Sequence, residues 1–203
     1  MKKFTVAAFF LAGAAMTSAH AFDGDPAAGE AKSGTCVACH QSDGNSVNDE
    51  YPKIAGLGAG YIYKQLREFK SGEREDAVML GMVSGLSEQD MRDLAAFYAE
   101  QTMSRGTANE DLVALGERIY RAGNPATGVS ACMGCHGPAG EGNDPANFPR
   151  LAGQHAEYTE HELENFASGA RTNDPGRMMQ NIAARMSAEE MEAVASYIEG
   201  LGN

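Results

Sequence analysis

The pattern Cys-x-x-Cys-His occurs twice in this chain, as Cys36-Val37-Ala38-Cys39-His40 and as Cys132-Met133-Gly134-Cys135-His136, and the two copies use all of its cysteines. The spacing has a chemical reason. Two thiols three positions apart reach the two vinyl groups of one haem, and the adjacent imidazole then lies under the iron as an axial ligand. Disulfides give no reason for a histidine to follow each second cysteine. A zinc site made of two such knuckles has its halves ~15–20 residues apart, far closer than these. A thioredoxin-like dithiol needs one motif beside a βαβ pattern, which this sequence lacks. Two covalently attached haems are therefore expected, one on Cys36 and Cys39 with His40 on iron, the other on Cys132 and Cys135 with His136 on iron.

The N-terminus points to the compartment where such attachment takes place. Lys2 and Lys3 precede an apolar run from Phe4 to Ala15, and Ala19-His20-Ala21 is a small-x-small site of the kind a signal peptidase cleaves. Residues 1–21 read as a signal peptide. The run falls short of the ~20 apolar residues that span a bilayer, which disfavours a retained anchor, and no later segment is apolar for long enough. A soluble mature chain is expected to start near Phe22, in the periplasm. Removing Lys2 and Lys3 leaves 14 basic residues against 28 acidic ones. That balance speaks against nucleic acid as a partner and favours docking to proteins with a basic rim.

The two halves repeat each other. Tyr51-Pro52-Lys53-Ile54-Ala55-Gly56 returns as Phe148-Pro149-Arg150-Leu151-Ala152-Gly153, at an offset of 97. In the same register Tyr61 matches Tyr158, Leu66 matches Leu163, Phe69 matches Phe166 and Ser71-Gly72 matches Ser168-Gly169. Further on, Leu86-Ser87 aligns with Met186-Ser187 at an offset of 100, so the second copy carries extra residues around Asn173-Asp174-Pro175. The expected division is 22–104 and 105–203, with a linker at about 101–108 around Gly106. Units of this size are small, so a buried haem would supply much of each core.

Helices joined by glycine-rich loops are expected throughout, with no run of alternating strands. Asp25-Pro26 and Asn109-Glu110-Asp111 have helix-start chemistry. Helices are expected at about Gly60 to Lys70, ended by Gly72, and at Glu157 to Ala167. Each repeat closes on a capping box, Ser87-x-x-Asp90 or Ser187-x-x-Glu190. Apolar stripes follow these caps: Met91, Leu94, Ala95 and Tyr98 in the first, Met191, Val194, Ala195 and Ile198 in the second.

The sixth iron position decides what kind of haem protein this is. A thioether there closes the coordination shell, whereas an open position invites peroxide or another small ligand. Between His40 and Ser87 stand Met79 and Met82; between His136 and Ser187 stand Met178, Met179 and Met186. At the offset of 100 Met79 pairs with Met179, while Met82 faces Ile182, Met178 faces Val78 and Met186 faces Leu86. Met79 and Met179 are accordingly assigned as distal ligands in the loop between helices. Met82 and Met178 are held in reserve, against the plain alternative of core packing. Met91 and Met191 belong to the apolar stripes. His155 and His161 face Gly58 and Lys64 in the repeat, which rules out a shared bis-histidine scheme and leaves one open to the second haem alone; both read as surface histidines.

The two haem motifs, the Pro-x-x-Ala-Gly segments, Gly153-Gln154-His155, Arg171-Thr172-Asn173-Asp174 and the closing Ser-x-x-acidic helices resemble the dihaem cytochrome c4 family over the whole mature chain. The resemblance implies an all-α fold of tandem duplicated class I cytochrome c domains, each built around one covalently bound haem c, related by a pseudo-twofold axis. It implies that the Pro52 and Pro149 carbonyls accept from the proximal histidines. It further implies an electron carrier rather than an enzyme, monomeric, periplasmic, soluble or loosely attached to the membrane. Its donor would be a quinol-oxidising complex and its acceptor a haem-copper terminal oxidase. The alternatives are the electron-accepting subunit of a larger oxidoreductase, such as a flavocytochrome sulfide dehydrogenase, or a dihaem peroxidase, against which the symmetric methionine pair argues. Gly81 standing opposite Asn181 is the main departure from symmetry.

Overall fold

Asp25 opens the first helix: its carboxylate accepts from the N–H groups of Ala27 and Ala28, and Pro26 supplies the φ of a first turn, so α1 runs over Pro26–Lys32. The computed structural model describes residues 22–202, and the signal-peptide reading of residues 1–21 lies outside them. After α1 come α2 (Val37–His40), α3 (Ala59–Ser71), α4 (Ala77–Val83) and α5 (Glu88–Ala99). The second unit repeats the order as α6 (Glu110–Ala122), α7 (Met133–His136), α8 (Ala156–Ser168), α9 (Met178–Ala183) and α10 (Ala188–Gly200). Among the described residues there is no β-strand, only two isolated bridges, Asn124 with Val129 and Asn143 with Phe148. None of the described helices is long and apolar enough to cross a membrane.

In each unit the first and last helices cross closely, α1 on α5 and α6 on α10. Glycine permits the approach: a Cβ on Gly29 would lie 2.1 Å from the Asp93 carbonyl oxygen, and one on Gly116 would lie 2.2 Å from that of Ala193. Both capping boxes form, with the Ser87 hydroxyl accepting from the Asp90 N–H and the Ser187 hydroxyl from that of Glu190. The stripes behind them are buried. Leu94, Ala95 and Tyr98 pack with Ala55, Leu57 and Ile62, while Val194 and Ile198 pack with Ile119, Leu163 and Phe166.

Two stretches expected as loop are helical. Met79 lies in α4 and Met179 in α9, helices too short to show a periodic signal in sequence. Asp76 caps α4 by accepting from the Met79 N–H at 2.8 Å. Asp174 holds α9 differently, accepting from both the backbone and side-chain amides of Gln180 at 3.1 and 2.6 Å.

The two units meet through polar groups related by the repeat. Arg74 donates to Gln65 of its own unit at 2.9 Å, and to Tyr158 and Glu162 of the other at 3.1 and 2.9 Å. Arg171 donates to Glu162 of its own unit at 2.5 Å, and to Tyr61 and Gln65 of the other, each at 3.1 Å. Between α5 and α6 the chain is tied down on both sides: Ser104 N–H donates to Asn45 at 2.7 Å, and Gly106 N–H to the Glu199 carbonyl at 3.1 Å.

Candidate haem cavity

A single helical turn presents each Cys-x-x-Cys-His motif. Cys36 heads α2 and His40 ends it, with the His40 N–H donating to the Cys36 carbonyl at 2.9 Å; Cys132 and His136 bracket α7 in the same way at 3.0 Å. Residues three apart on a helix share a face, so both thiols of a motif lie on one side of the turn. The turn stops at Gln41, with φ 63° and ψ 169°, where the second unit has Gly137. Glycine enters that region freely and glutamine only at a cost.

Each motif imidazole is buried, and its Nδ1 lies 2.9 Å from a proline carbonyl, Pro52 for His40 and Pro149 for His136. A carbonyl oxygen only accepts, so Nδ1 carries the proton and Nε2 the lone pair. Burial, partly opposed by the proline bond, pulls both rings below the usual histidine pKa. A neutral ring of fixed tautomer is what an axial ligand requires.

One cavity of about 500 Å³ passes through both units. Cys36, Cys39, His40, Pro52 and Met79 line one part of it; Cys132, Cys135, His136, Pro149 and Met179 line the other. None of the four cysteines is in a disulfide. Burial pushes the Cys36 thiol up and the Cys132 thiol up to about 11, as apolar surroundings do to a thiol. No three His, Cys, Asp or Glu side chains converge on a metal-sized point among the described residues, so the zinc alternative has no donor set. Apolar walls, neutral imidazoles and paired thiols thus fit haem c.

The structure brings all ten predicted site residues to this cavity, together with Met82, Met178 and Met186. The walls therefore offer more thioethers than two irons need. Met82 and Met178 are also more exposed, at 47% and 39%, whereas Met79 and Met179 are half-buried. His161 is exposed on the rim. His155 corrects the surface reading: it is buried, with Nε2 2.9 Å from the Ser46 carbonyl and Nδ1 3.8 Å from the Glu199 carboxylate. A loop more than a hundred residues earlier covers it, which helix-face reasoning does not see. Sequence reasoning did not single out Arg74 and used Arg171 only as part of the resemblance, giving neither a site role, yet both line the cavity where the units join. The repeat register held the signal, since at the offset of 97 they align with each other, as Gln65 does with Glu162.

The cytochrome c family model matches residues 26–101 and 113–202. The cytochrome c4 of Thiocapsa roseopersicina is 51% identical over 180 residues, covering 88% of this chain and 93% of that protein. The chain belongs to the cytochrome c4 family. The crystal structure of reduced recombinant cytochrome c4 from Pseudomonas stutzeri superimposes with a TM-score of 0.86 at 44% identity, covering 88% of this chain and 99% of that one. A thiosulfate dehydrogenase electron acceptor of Stutzerimonas stutzeri is 36% identical over 171 residues, covering 82% of this chain and 79% of that protein. As a cytochrome c4 family member the chain carries two haem c groups in tandem cytochrome c domains, and it is an electron carrier, not an enzyme.

Proposed function

We propose that this chain is a two-centre conductor in which His40 and Met79 hold one iron and His136 and Met179 the other, with Cys36, Cys39, Cys132 and Cys135 as the covalent tethers. One observation carries this reading: each unit places, on matching elements of the same cavity, one buried imidazole of fixed tautomer and one repeat-matched thioether. Each haem supplies a one-electron Fe(III)/Fe(II) couple.

The protein's part is to hold and to exclude. Pro52 and Pro149 fix the orientation of His40 and His136 and keep the rings good donors. Apolar walls shut out water, so little rearrangement accompanies a change of charge. Arg74 and Arg171, which share Glu162, line the cavity together with Lys64 and Arg150, and these are the cations that would face the haem carboxylates. A closed shell of imidazole and thioether leaves no position for substrate, which fits conduction. The domains are taken as 22–104 and 105–203. Cleavage after about Ala21 would deliver the chain to the periplasm, where haem attachment belongs. A quinol-oxidising complex as donor and a haem-copper oxidase as acceptor complete a respiratory role, and the acidic surface favours partners with a basic rim.

A second reading has one finding in its favour. The relative named as a thiosulfate dehydrogenase electron acceptor suits a chain that takes electrons from one enzyme. Co-purification with a dehydrogenase would favour it. Carbon monoxide titration of the reduced protein tests the closed shell in either case: unchanged spectra at both haems are expected, and tight binding at one would overturn the ligand assignment.

A further inference from the structure

The His40 imidazole begins a hydrogen-bond chain that ends in the other unit. Its Nδ1–H donates to the Pro52 carbonyl at 2.9 Å. The N–H of that same peptide group belongs to Lys53, and it donates to Gln154 Oε1 at 2.8 Å. Gln154 Nε2 donates back to the Lys53 carbonyl at 2.7 Å, and its Oε1 also accepts from the His155 N–H at 3.0 Å. Gln154 is 5% exposed, so no solvent competes for these bonds. The Lys53 side chain is fixed by the same surroundings, with Nζ donating to the Ser104 and Gly153 carbonyls at 2.9 and 3.0 Å.

The second unit has no copy of this arrangement. The residue matching Gln154 is Leu57, which has no amide to offer the Pro149–Arg150 peptide. The Arg150 side chain turns instead to the Ala152 carbonyl at 3.2 Å. The repeat is thus symmetric in its ligand-bearing residues and asymmetric in what stands behind one proximal histidine.

A peptide group whose N–H is engaged becomes a stronger acceptor at its carbonyl, because linked hydrogen bonds polarise one another. A stronger acceptor at Nδ1 increases electron donation from Nε2 to iron, which favours the ferric state and lowers the potential. We propose that Gln154, through the Pro52–Lys53 peptide, is a positioning residue by which the second unit sets the donor strength of His40 and lowers the potential of the first haem. This rests on the ligation proposed above.

The test is Gln154→Leu, which copies the repeat partner, in the full two-haem protein. Potentiometric titration followed by NMR assigns each potential through the resonances of its own histidine. The first haem's potential is expected to rise and the His40 ring N–H resonance to move upfield, with the second haem unmoved. Unchanged values, or equal shifts at both haems, would overturn the inference, since loosening of the junction alone does not select one centre. Gln154→Glu keeps the acceptor and serves if the leucine variant does not fold; it is expected to lower the first haem's potential relative to the second, and a relative rise or no change overturns the inference. Wild-type protein that binds carbon monoxide at the first haem would fail the ligation reading, whereas closed shells with unmoved potentials would fail this inference alone.

Discussion

Arg171 of the second unit donates to the Tyr61 hydroxyl of the first at 3.1 Å, and Arg74 makes the mirrored bond to Tyr158 at the same distance. Position 65/162 breaks the mirror, with glutamine in the first unit and glutamate in the second. Glu162 is thus the carboxylate that both guanidiniums share, at 2.9 and 2.5 Å. All three side chains are largely buried, at 9–14% exposure. Burial works against ionisation of Glu162, but the two arginines outweigh it and hold the carboxyl below the usual range.

Arg74→Leu removes one cation from a buried group of charges and leaves Glu162 and Tyr158 underpaired. Losing one partner of a buried ion pair costs ~3–5 kcal/mol. Urea unfolding of the holoprotein should show a loss of that order. A loss below about 1 kcal/mol, the worth of a surface pair, would show that the junction is not held by these charges.

Acid should act first on the first unit. Asp93 accepts from the Asp25 N–H at 3.0 Å, from Lys32 at 2.7 Å and from Gln89 at 2.8 Å, and these bonds, the backbone one foremost, bring its pKa down to about 2. A carboxylate with a depressed folded pKa contributes stability that is complete above its unfolded value of ~3.9 and is lost as pH falls through the folded value. The matching residue in the second unit is Ala193. Stability measured between pH ~4 and 2 should decline less steeply in Asp93→Asn than in wild type, with the difference confined to the first unit; equal slopes would contradict the assignment.

Gln41 occupies a backbone region that the second unit gives to glycine, and such strain costs of order 1–3 kcal/mol. Gln41→Gly releases it but adds ~0.5–1 kcal/mol of chain entropy in the unfolded state. A net gain of about 1 kcal/mol is expected in chemical denaturation, with haem content unchanged. A loss of stability would mean that the Gln41 side chain contributes contacts worth more than the strain.

Legibility in the sequence followed the range of the interaction. Caps such as Asp25 and Ser187 are local, involve strong donors and acceptors, and could be read directly. Met79 and Met179 were picked out by register, but α4 and α9 around them are shorter than the window in which amphipathic periodicity shows. His155 was misread because its cover comes from Ser46 in the other unit. Gly29 and Gly116 look like weak points of a helical pattern until the crossing helix is in view. Arg74 and Arg171 align in the repeat, yet nothing near them in sequence says that each reaches across the junction.

The most direct measurement is the weak long-wavelength absorption band that ferric haem shows when a methionine sulfur is bound, compared in wild type, Met79→Ala, Met179→Ala and the double variant. The account predicts the full band in wild type, about half of it in each single variant as two equivalent sites require, and none in the double variant. A band absent from wild type, or surviving at full strength in the double variant, would contradict it.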